Sequence, residues 1–155
     1  STHRQSSAAS DVYKRQELMD ANIYSDNYID QILSDVETIA LVGASSDPDK
    51  DSYKVMKFLL EKNYQVFPIN PNEAGMNILG QYCYADLSSL TESIDMVEVF
   101  RRSEAVFDIA KDAISIGAKV LWTQLGVVHE EAAQMAQKAG LKVVMNKCPK
   151  IELQR

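Results

Sequence analysis

Short apolar runs alternate along the chain with longer stretches in which apolar residues recur every three or four positions. The short runs are rich in valine, isoleucine and leucine and predict five β-strands. They lie at 37–42, 65–70, 95–100, 119–122 and 142–145. The periodic stretches predict helices. These lie at 25–36, 51–62, 104–116 and 130–139. Strands that alternate with helices in this way predict βαβ units and a parallel sheet.

The predicted fold is one α/β domain, a doubly wound parallel five-stranded sheet with helices on both faces, in three layers. We expect the strand order 3-2-1-4-5. Between strands two and three, 78–84 is interpreted as a short extended piece, and 146–155 as a polar tail. Residues 1–16 show no periodicity and are interpreted as a disordered or non-native tail, which leaves a single domain at 17–155.

The composition of the chain limits the kinds of partner that we expect it to bind. The 155-residue chain has a net charge of −6, which disfavours a nucleic-acid surface because phosphate backbones need clustered lysine and arginine. No apolar run approaches the roughly 20 residues of a membrane span, and the first residues do not form a secretory signal. The two histidines are too few for the usual zinc site, so no metal is predicted. We therefore expect a cytoplasmic protein without a membrane or nucleic-acid partner.

The candidate site follows from where parallel strands end. In doubly wound sheets, ligands bind beyond the carboxyl ends of the strands, where the strand order reverses. The residues after the five predicted strands are mostly small, amide-bearing or basic. They are Gly43, Ala44, Ser45 and Ser46; Asn70, Pro71 and Asn72; Phe100, Arg101 and Arg102; Thr123, Gln124 and Gly126; and Asn146, Lys147 and Cys148. This clustering is the main evidence in the sequence for a binding site.

Gly43 ends the first strand and precedes a predicted helix whose N-terminus is at Asp51 or Ser52. A strand, a tight turn and a helix N-terminus form an arrangement that binds phosphate, because free N–H groups and the helix dipole attract an anion. Taken alone, Gly43 is more typical of a simple turn, and the G-x-G-x-x-G pattern is absent.

The end of the second strand indicates which nucleotide binds. NAD-binding folds usually place a carboxylate there for the ribose, whereas this chain has Asn70 followed by Pro71. This disfavours NAD and permits a ligand that is phosphorylated near the ribose.

Arg101 and Arg102 follow a buried strand and precede a helix, where cations oppose the dipole unless a phosphate is near. Lys54 would add charge from the first turn of the helix. The alternative for all three is an exposed surface position. Cys148 is interpreted as a small buried residue, since no base can be assigned to it, and no catalytic residue is predicted.

Several motifs in the same order resemble the CoA-binding domain family, small Rossmann-like proteins similar to the nucleotide-binding domain of the succinyl-CoA synthetase alpha subunit. The resemblance covers residues 34–155. The motifs are Ile39–Ser45, Ser52–Met56, Val66–Pro71, Val97–Arg102, Trp122–Val127 and Cys148–Glu152.

The resemblance implies that coenzyme A or an acyl-CoA lies across the carboxyl edge of the sheet. By this analogy Gly43–Ser46 hold phosphates, Asn70 and Pro71 line the adenosine side, and Val99–Arg101 line the other wall. Asn72, Tyr53, Lys54 and Arg102 complete the predicted binding set. The ligase's phosphorylated histidine lies beyond this domain, so the resemblance supports binding rather than ligation.

We thus predict a CoA-binding protein without catalytic machinery of its own. One alternative is an enzyme that uses Cys148 on a CoA thioester or a CoA disulfide. Another is a regulatory module that senses the nucleotide and docks on a protein partner, and a homodimer is also open.

Overall fold

The computed structural model describes residues 24–155, so the predicted tail at 1–16 lies outside the described residues. The helices of this part are α1 (Asp26–Asp35), α2 (Asp51–Glu61), α3 (Val106–Ser115), α4 (Glu130–Lys138) and α5 (Pro149–Leu153). The strands are β1 (Thr38–Val42), β2 (Gln65–Ile69), β3 (Asn77–Ile78), β4 (Gln81–Tyr82), β5 (Met96–Val99), β6 (Val120–Thr123) and β7 (Lys142–Val144). Three short 3₁₀ turns lie at Pro71–Glu73, Leu87–Ser89 and Ser103–Ala105.

Five of the strands form one parallel sheet in the order β2-β1-β5-β6-β7, which confirms the predicted α/β class. The predicted order 3-2-1-4-5 is wrong, because the third long strand, β5, lies on the far side of β1 from β2. Apolar patterns identify strands but do not determine to which side of the first strand a crossover returns. The order therefore reverses between β1 and β5, and the loops after these two strands face each other.

Alternate side chains of the strands pack into two separate cores, one on each face of the sheet. Helices α3 and α4 cover one face through small residues such as Ala110 and Ala133. Helices α1 and α2 cover the other face, together with the start of α5. Trp122 is fully buried in this second core, where it acts as a packing residue. The three predicted layers are present.

Two elements were missed by the sequence interpretation. The interpreted polar tail contains α5, which begins with Pro149 in its first turn, a position where the missing N–H of proline costs nothing. The extended piece before Tyr84 forms a small antiparallel hairpin of β3 and β4. The helix has five residues and each strand of the hairpin has two, and such short segments carry too little periodicity to be recognised.

Side chains and loops of the same chain occupy both edges of the sheet. At the β7 edge, the Tyr28 hydroxyl donates to the carbonyl oxygen of Val143 at 3.0 Å and accepts from its N–H at 3.1 Å. The Tyr24 hydroxyl accepts from the Met145 N–H at 3.0 Å. At the β2 edge, the Tyr84 N–H donates to Pro68, which has no N–H of its own. These contacts satisfy backbone groups that an edge strand would otherwise expose.

The Tyr28→Phe substitution tests the cap on β7. We expect it to lower the free energy of unfolding by about 1–3 kcal/mol, because it leaves the partly buried N–H and C=O of Val143 without a partner. Urea denaturation measures the change. Tyr82→Phe is the matched control, since Tyr82 is 54% exposed, and its effect should stay within about 0.5 kcal/mol. An equal loss in both variants would show that the cap does not stabilise the edge.

No helix between residues 24 and 155 has the length and apolar character needed to cross a membrane. The same residues contain no group of three or more His, Cys, Asp or Glu side chains placed to hold a metal ion.

Candidate functional site

Gly43 lies where the loops after β1 and β5 touch. Its φ of +92° favours glycine, and a Cβ at this position would collide with the carbonyl oxygen of Phe100. The same Cβ would lie 3.2 Å from Cδ of Arg101, so the arginine side chain passes directly over Gly43. The structure thus brings the predicted phosphate-binding turn and the predicted arginine together at the point where strand order reverses.

The N-terminus of α2 faces this turn without a side-chain cap. The residue at the cap position is Lys50, not Asp51 or Ser52 as predicted, and its side chain makes no capping hydrogen bond. The first N–H groups of an α-helix have no partner within the helix, so those of α2 are left for solvent or a ligand. An anion beside this end is further stabilised by the helix dipole.

A cleft of about 670 Å³ opens at this point, between the loops that follow β1, β2 and β5. Eight of the thirteen predicted binding residues line it. They are Gly43, Ala44, Ser45, Asn70, Pro71, Asn72, Phe100 and Arg101. Lys50, Asp51 and Ser52 contribute the helix end, and Asp86, Leu87, Ile109 and Asp112 are among the residues on the opposite side.

The other five predicted residues lie elsewhere. Val99 is fully buried in the core beneath α3 and α4, and Ser46 is exposed, with its N–H donating to Glu73. Arg102 lines the neighbouring cavity described below. Tyr53 and Lys54 line a separate groove that also includes the outer face of α2. A helix turns by about 100° per residue, so adjacent residues in one motif point to different surfaces.

Asn70 fixes the shape of the cleft from the end of β2. Its Nδ2 donates to the carbonyl oxygen of Ala44 at 2.8 Å, and its Oδ1 accepts from the N–H of Asn72 at 2.8 Å. The N–H groups of Gly43 and Ala44 both donate to the carbonyl oxygen of Ile69. The turn after β1 is therefore held to β2 by backbone and side-chain bonds before any ligand arrives.

A second cavity of about 590 Å³ continues from the cleft and shares Asp51, Phe100 and Arg101 with it. Gln124, from the loop after β6, lines this cavity. Its Oε1 is buried and has no hydrogen-bond partner among the described residues. A buried acceptor without a partner costs free energy, which a ligand N–H or O–H would recover. Gln124 followed a predicted strand but was not in the predicted binding set.

Glu98 is a buried acid that the sequence interpretation missed. It lies on β5 between Leu41 of β1 and Trp122 of β6, and its side chain is inaccessible to solvent. Neither carboxyl oxygen has a hydrogen-bond partner among residues 24–155. Burial, with a smaller contribution from the Cys148 thiol, raises the pKa of the Glu98 carboxyl well above its usual value. The apolar run around it concealed this residue, because a single acid does not interrupt a strand pattern.

Cys148 lies at the start of α5 and is 6% exposed. The indole N–H of Trp122 donates to the carbonyl oxygen of the preceding residue, Lys147, and so holds this segment against the sheet. Cys148 lines neither the cleft nor the second cavity. Its thiol is therefore not positioned to react with a ligand bound there.

The comparisons with known proteins agree with this geometry. A sequence model of the family described as "CoA binding domain" matches residues 37–154. The chain belongs to the CoA-binding domain family. It is 38% identical to "Uncharacterized protein YneT" of Bacillus subtilis over 125 residues, 79% of this chain and 90% of YneT. A solved structure described as a hypothetical protein from Pyrococcus horikoshii superposes with a TM-score of 0.81 at 38% identity, covering 86% of this chain and 92% of that one.

A longer CoA-related protein contains a similar region. The ADP-forming acetate–CoA ligase I subunit alpha of Pyrococcus furiosus is 23% identical over 128 residues, which cover 74% of this chain but 28% of the ligase subunit. The predicted membership of the CoA-binding domain family is confirmed by the family match. The ligase activity belongs to a protein more than three times the length of the matched region, so the likeness supports the family and not the reaction.

Proposed function

We propose that this CoA-binding domain protein binds coenzyme A or an acyl-CoA in the cleft, and does so without catalysing a reaction. The observation that carries the proposal is the contact between Gly43 and Phe100, with Arg101 passing over it. This contact packs the turn against the loop after β5 and places a guanidinium beside the uncapped end of α2, whose first N–H groups face the cleft. A diphosphate would receive backbone N–H groups, the helix dipole and a bidentate cation in one place.

The shape of the cleft favours coenzyme A over shorter nucleotides. Coenzyme A joins a phosphorylated adenosine, a diphosphate and a long uncharged arm with two amide groups. The amide-lined end at Asn70 and Asn72 suits the adenosine, and the second cavity extends away from it past Arg101. Gln124 lines that cavity, so its side-chain amide would lie beside the amide groups of the arm. ATP and NAD have no comparable neutral chain.

The position of Cys148 argues against the enzyme alternative. A thiol that attacks a CoA thioester or a CoA disulfide has to reach the sulfur of the bound ligand as a thiolate. Cys148 is buried in the core outside both cavities, so its thiol lies away from a ligand bound there. We accordingly propose a binding protein of the cytoplasm whose ligand is a small molecule.

The Arg101→Gln substitution tests the proposed site. We expect it to weaken coenzyme A binding by about 10- to 100-fold, since a charge-assisted hydrogen bond to a phosphate contributes about 1.5–3 kcal/mol. Calorimetry with coenzyme A, dephospho-CoA, NAD and ATP measures the affinities. We expect coenzyme A to bind most tightly, and dephospho-CoA more weakly because it lacks the ribose phosphate.

Lys138→Gln is the matched control, because it removes one positive charge from an exposed position on α4, outside both cavities. Its affinity for coenzyme A should stay within about twofold of the unmodified protein. Tight NAD binding combined with indifference to coenzyme A would overturn the proposal. An equal loss in the two variants would show that only net charge matters.

A further inference from the structure

A groove of about 370 Å³ lies on the outer side of the α1/α2/α5 layer, away from the cleft. It runs between α2 and the start of α5. Its lining consists of Pro48, Tyr53, Lys54, Lys57, Phe58, Glu61 and Lys150. Two of these, Tyr53 and Lys54, belong to the motif that predicted the CoA site, yet they lie outside the cleft and the second cavity. Their placement calls for a role other than phosphate binding in the cleft.

The groove is basic on a chain that is acidic overall. Three lysines and one glutamate line it, whereas the chain as a whole has a net charge of −6. None of the three lysines forms an ion pair with a carboxylate of the described residues. Positive charges that are left unpaired on one face create a local potential that attracts an acidic partner.

The floor of the groove is aromatic. The ammonium group of Lys150 lies 5.8 Å from the centroid of the Phe58 ring, and that of Lys62 lies 5.5 Å from the same centroid. Tyr53 and Phe58 are half-buried, and Ile151, which follows Lys150, is 51% exposed. Apolar side chains between cations provide contact area for an aliphatic or aromatic residue, which a small inorganic anion could not use.

We propose that this groove is a docking site for an acidic segment of a partner protein, one that carries carboxylates interspersed with apolar side chains. The carboxylates pair with Lys54, Lys57 and Lys150, and the apolar side chains pack on Tyr53 and Phe58. The first turn of α2 lines the cleft, and the following residues of the same helix line the groove. The docking surface is thus adjacent to the ligand site without overlapping it.

A charge reversal in the groove tests the proposal. The probe is a fluorescein-labelled peptide of alternating glutamate and leucine. Its binding to the whole chain is measured by fluorescence anisotropy. Replacing Lys57 and Lys150 together (K57E/K150E) should weaken binding by about tenfold or more, and K57Q/K150Q should give an intermediate loss. If the charge-reversed variant K57E/K150E unfolds, the neutral variant K57Q/K150Q still tests the proposal. Binding should also weaken as salt is raised.

The matched control is K111E/K138E, which makes the same change in net charge on α3 and α4, across the sheet from the groove. Lys111 also lies over a ring, 5.5 Å from the centroid of Phe107, so the control loses a comparable cation–π contact. The affinity of this control variant for the peptide should stay within about twofold of that of the unmodified protein.

Three results would overturn the docking proposal. The first is an equal loss of peptide affinity in the control variant, and the second is undiminished peptide binding in both groove variants. The third is complete displacement of the peptide by tripolyphosphate added at the same total charge as the peptide. The last result would assign the groove to small anions. Coenzyme A affinity is measured on the same variants, and Lys57 and Lys150 lie outside the cleft. Failure of docking is therefore distinguishable from failure of CoA binding.

Discussion

The Gly43→Ala substitution should destabilise the fold by more than about 3 kcal/mol and abolish ligand binding in whatever protein still folds. A Cβ at this position meets backbone atoms of Phe100, with the carbonyl carbon at 2.9 Å, and backbone cannot move aside as a flexible side chain can. The φ of +92° adds the strain that any L-residue has in the left-handed region. Urea denaturation and coenzyme A calorimetry measure the two effects.

Gly80→Ala separates the strain of a positive φ from the collision. Gly80 has a φ of +81°, and a Cβ built there meets nothing within 4 Å. Its replacement should therefore cost only about 1–2 kcal/mol, the usual penalty of the left-handed region, and leave ligand binding intact. If the two variants were equally stable, the close approach of Gly43 to Phe100 would not be a constraint on the site.

The Glu98→Gln substitution should change how stability depends on pH. Because burial raises the pKa of the Glu98 carboxyl, the folded state favours its protonated form. Its contribution to stability is fully present below the pKa of the unfolded chain and is lost as pH rises through the folded-state pKa. Glutamine does not titrate, so the stability of the variant relative to the natural protein should grow as pH rises above about 4.5, the unperturbed value. Urea denaturation across this range measures the trend.

Two further variants make this result specific. Glu98→Leu removes the buried carboxyl altogether and should raise the free energy of unfolding at neutral pH by about 1–3 kcal/mol. Glu92→Gln makes the same chemical change at an exposed position and should leave the pH dependence unaltered. A pH profile of Glu98→Gln that is parallel to that of the natural protein would contradict the burial argument.

The central part of the site could be predicted from sequence because its signals are local. Gly43 follows an unbroken apolar strand, and Arg101 follows another, so the carboxyl edge of a parallel sheet brings them to one side. The wrong strand order affects Arg101 and not Gly43, because it separates the strand before Arg101 from β1, whereas the structure places the two strands side by side. Under either order β1 lies at the reversal, and the loop after β1 is shared by both arrangements.

The remaining features depend on tertiary contacts that no local pattern encodes. Whether Tyr53 and Lys54 face the cleft or the outer groove depends on the rotation of α2 about its axis. Val99 and Arg102 flank the true cleft residues, yet one points into the core and the other into the second cavity. The side-chain oxygen of Gln124 is recognised as lacking a hydrogen-bond partner only when the described atoms around it are known.

The two occupied edges restrict how this protein can assemble. Residue 84 lies against the end of β2, and the hydroxyls of Tyr24 and Tyr28 lie against β7, so within residues 24–155 both edge strands already have backbone groups paired where a foreign strand would align. Growth of the sheet into a continuous intermolecular ribbon is thereby blocked at both ends. An assembly formed by the described part of the chain would use helical faces or loops, so its geometry would follow side-chain complementarity instead of backbone pairing.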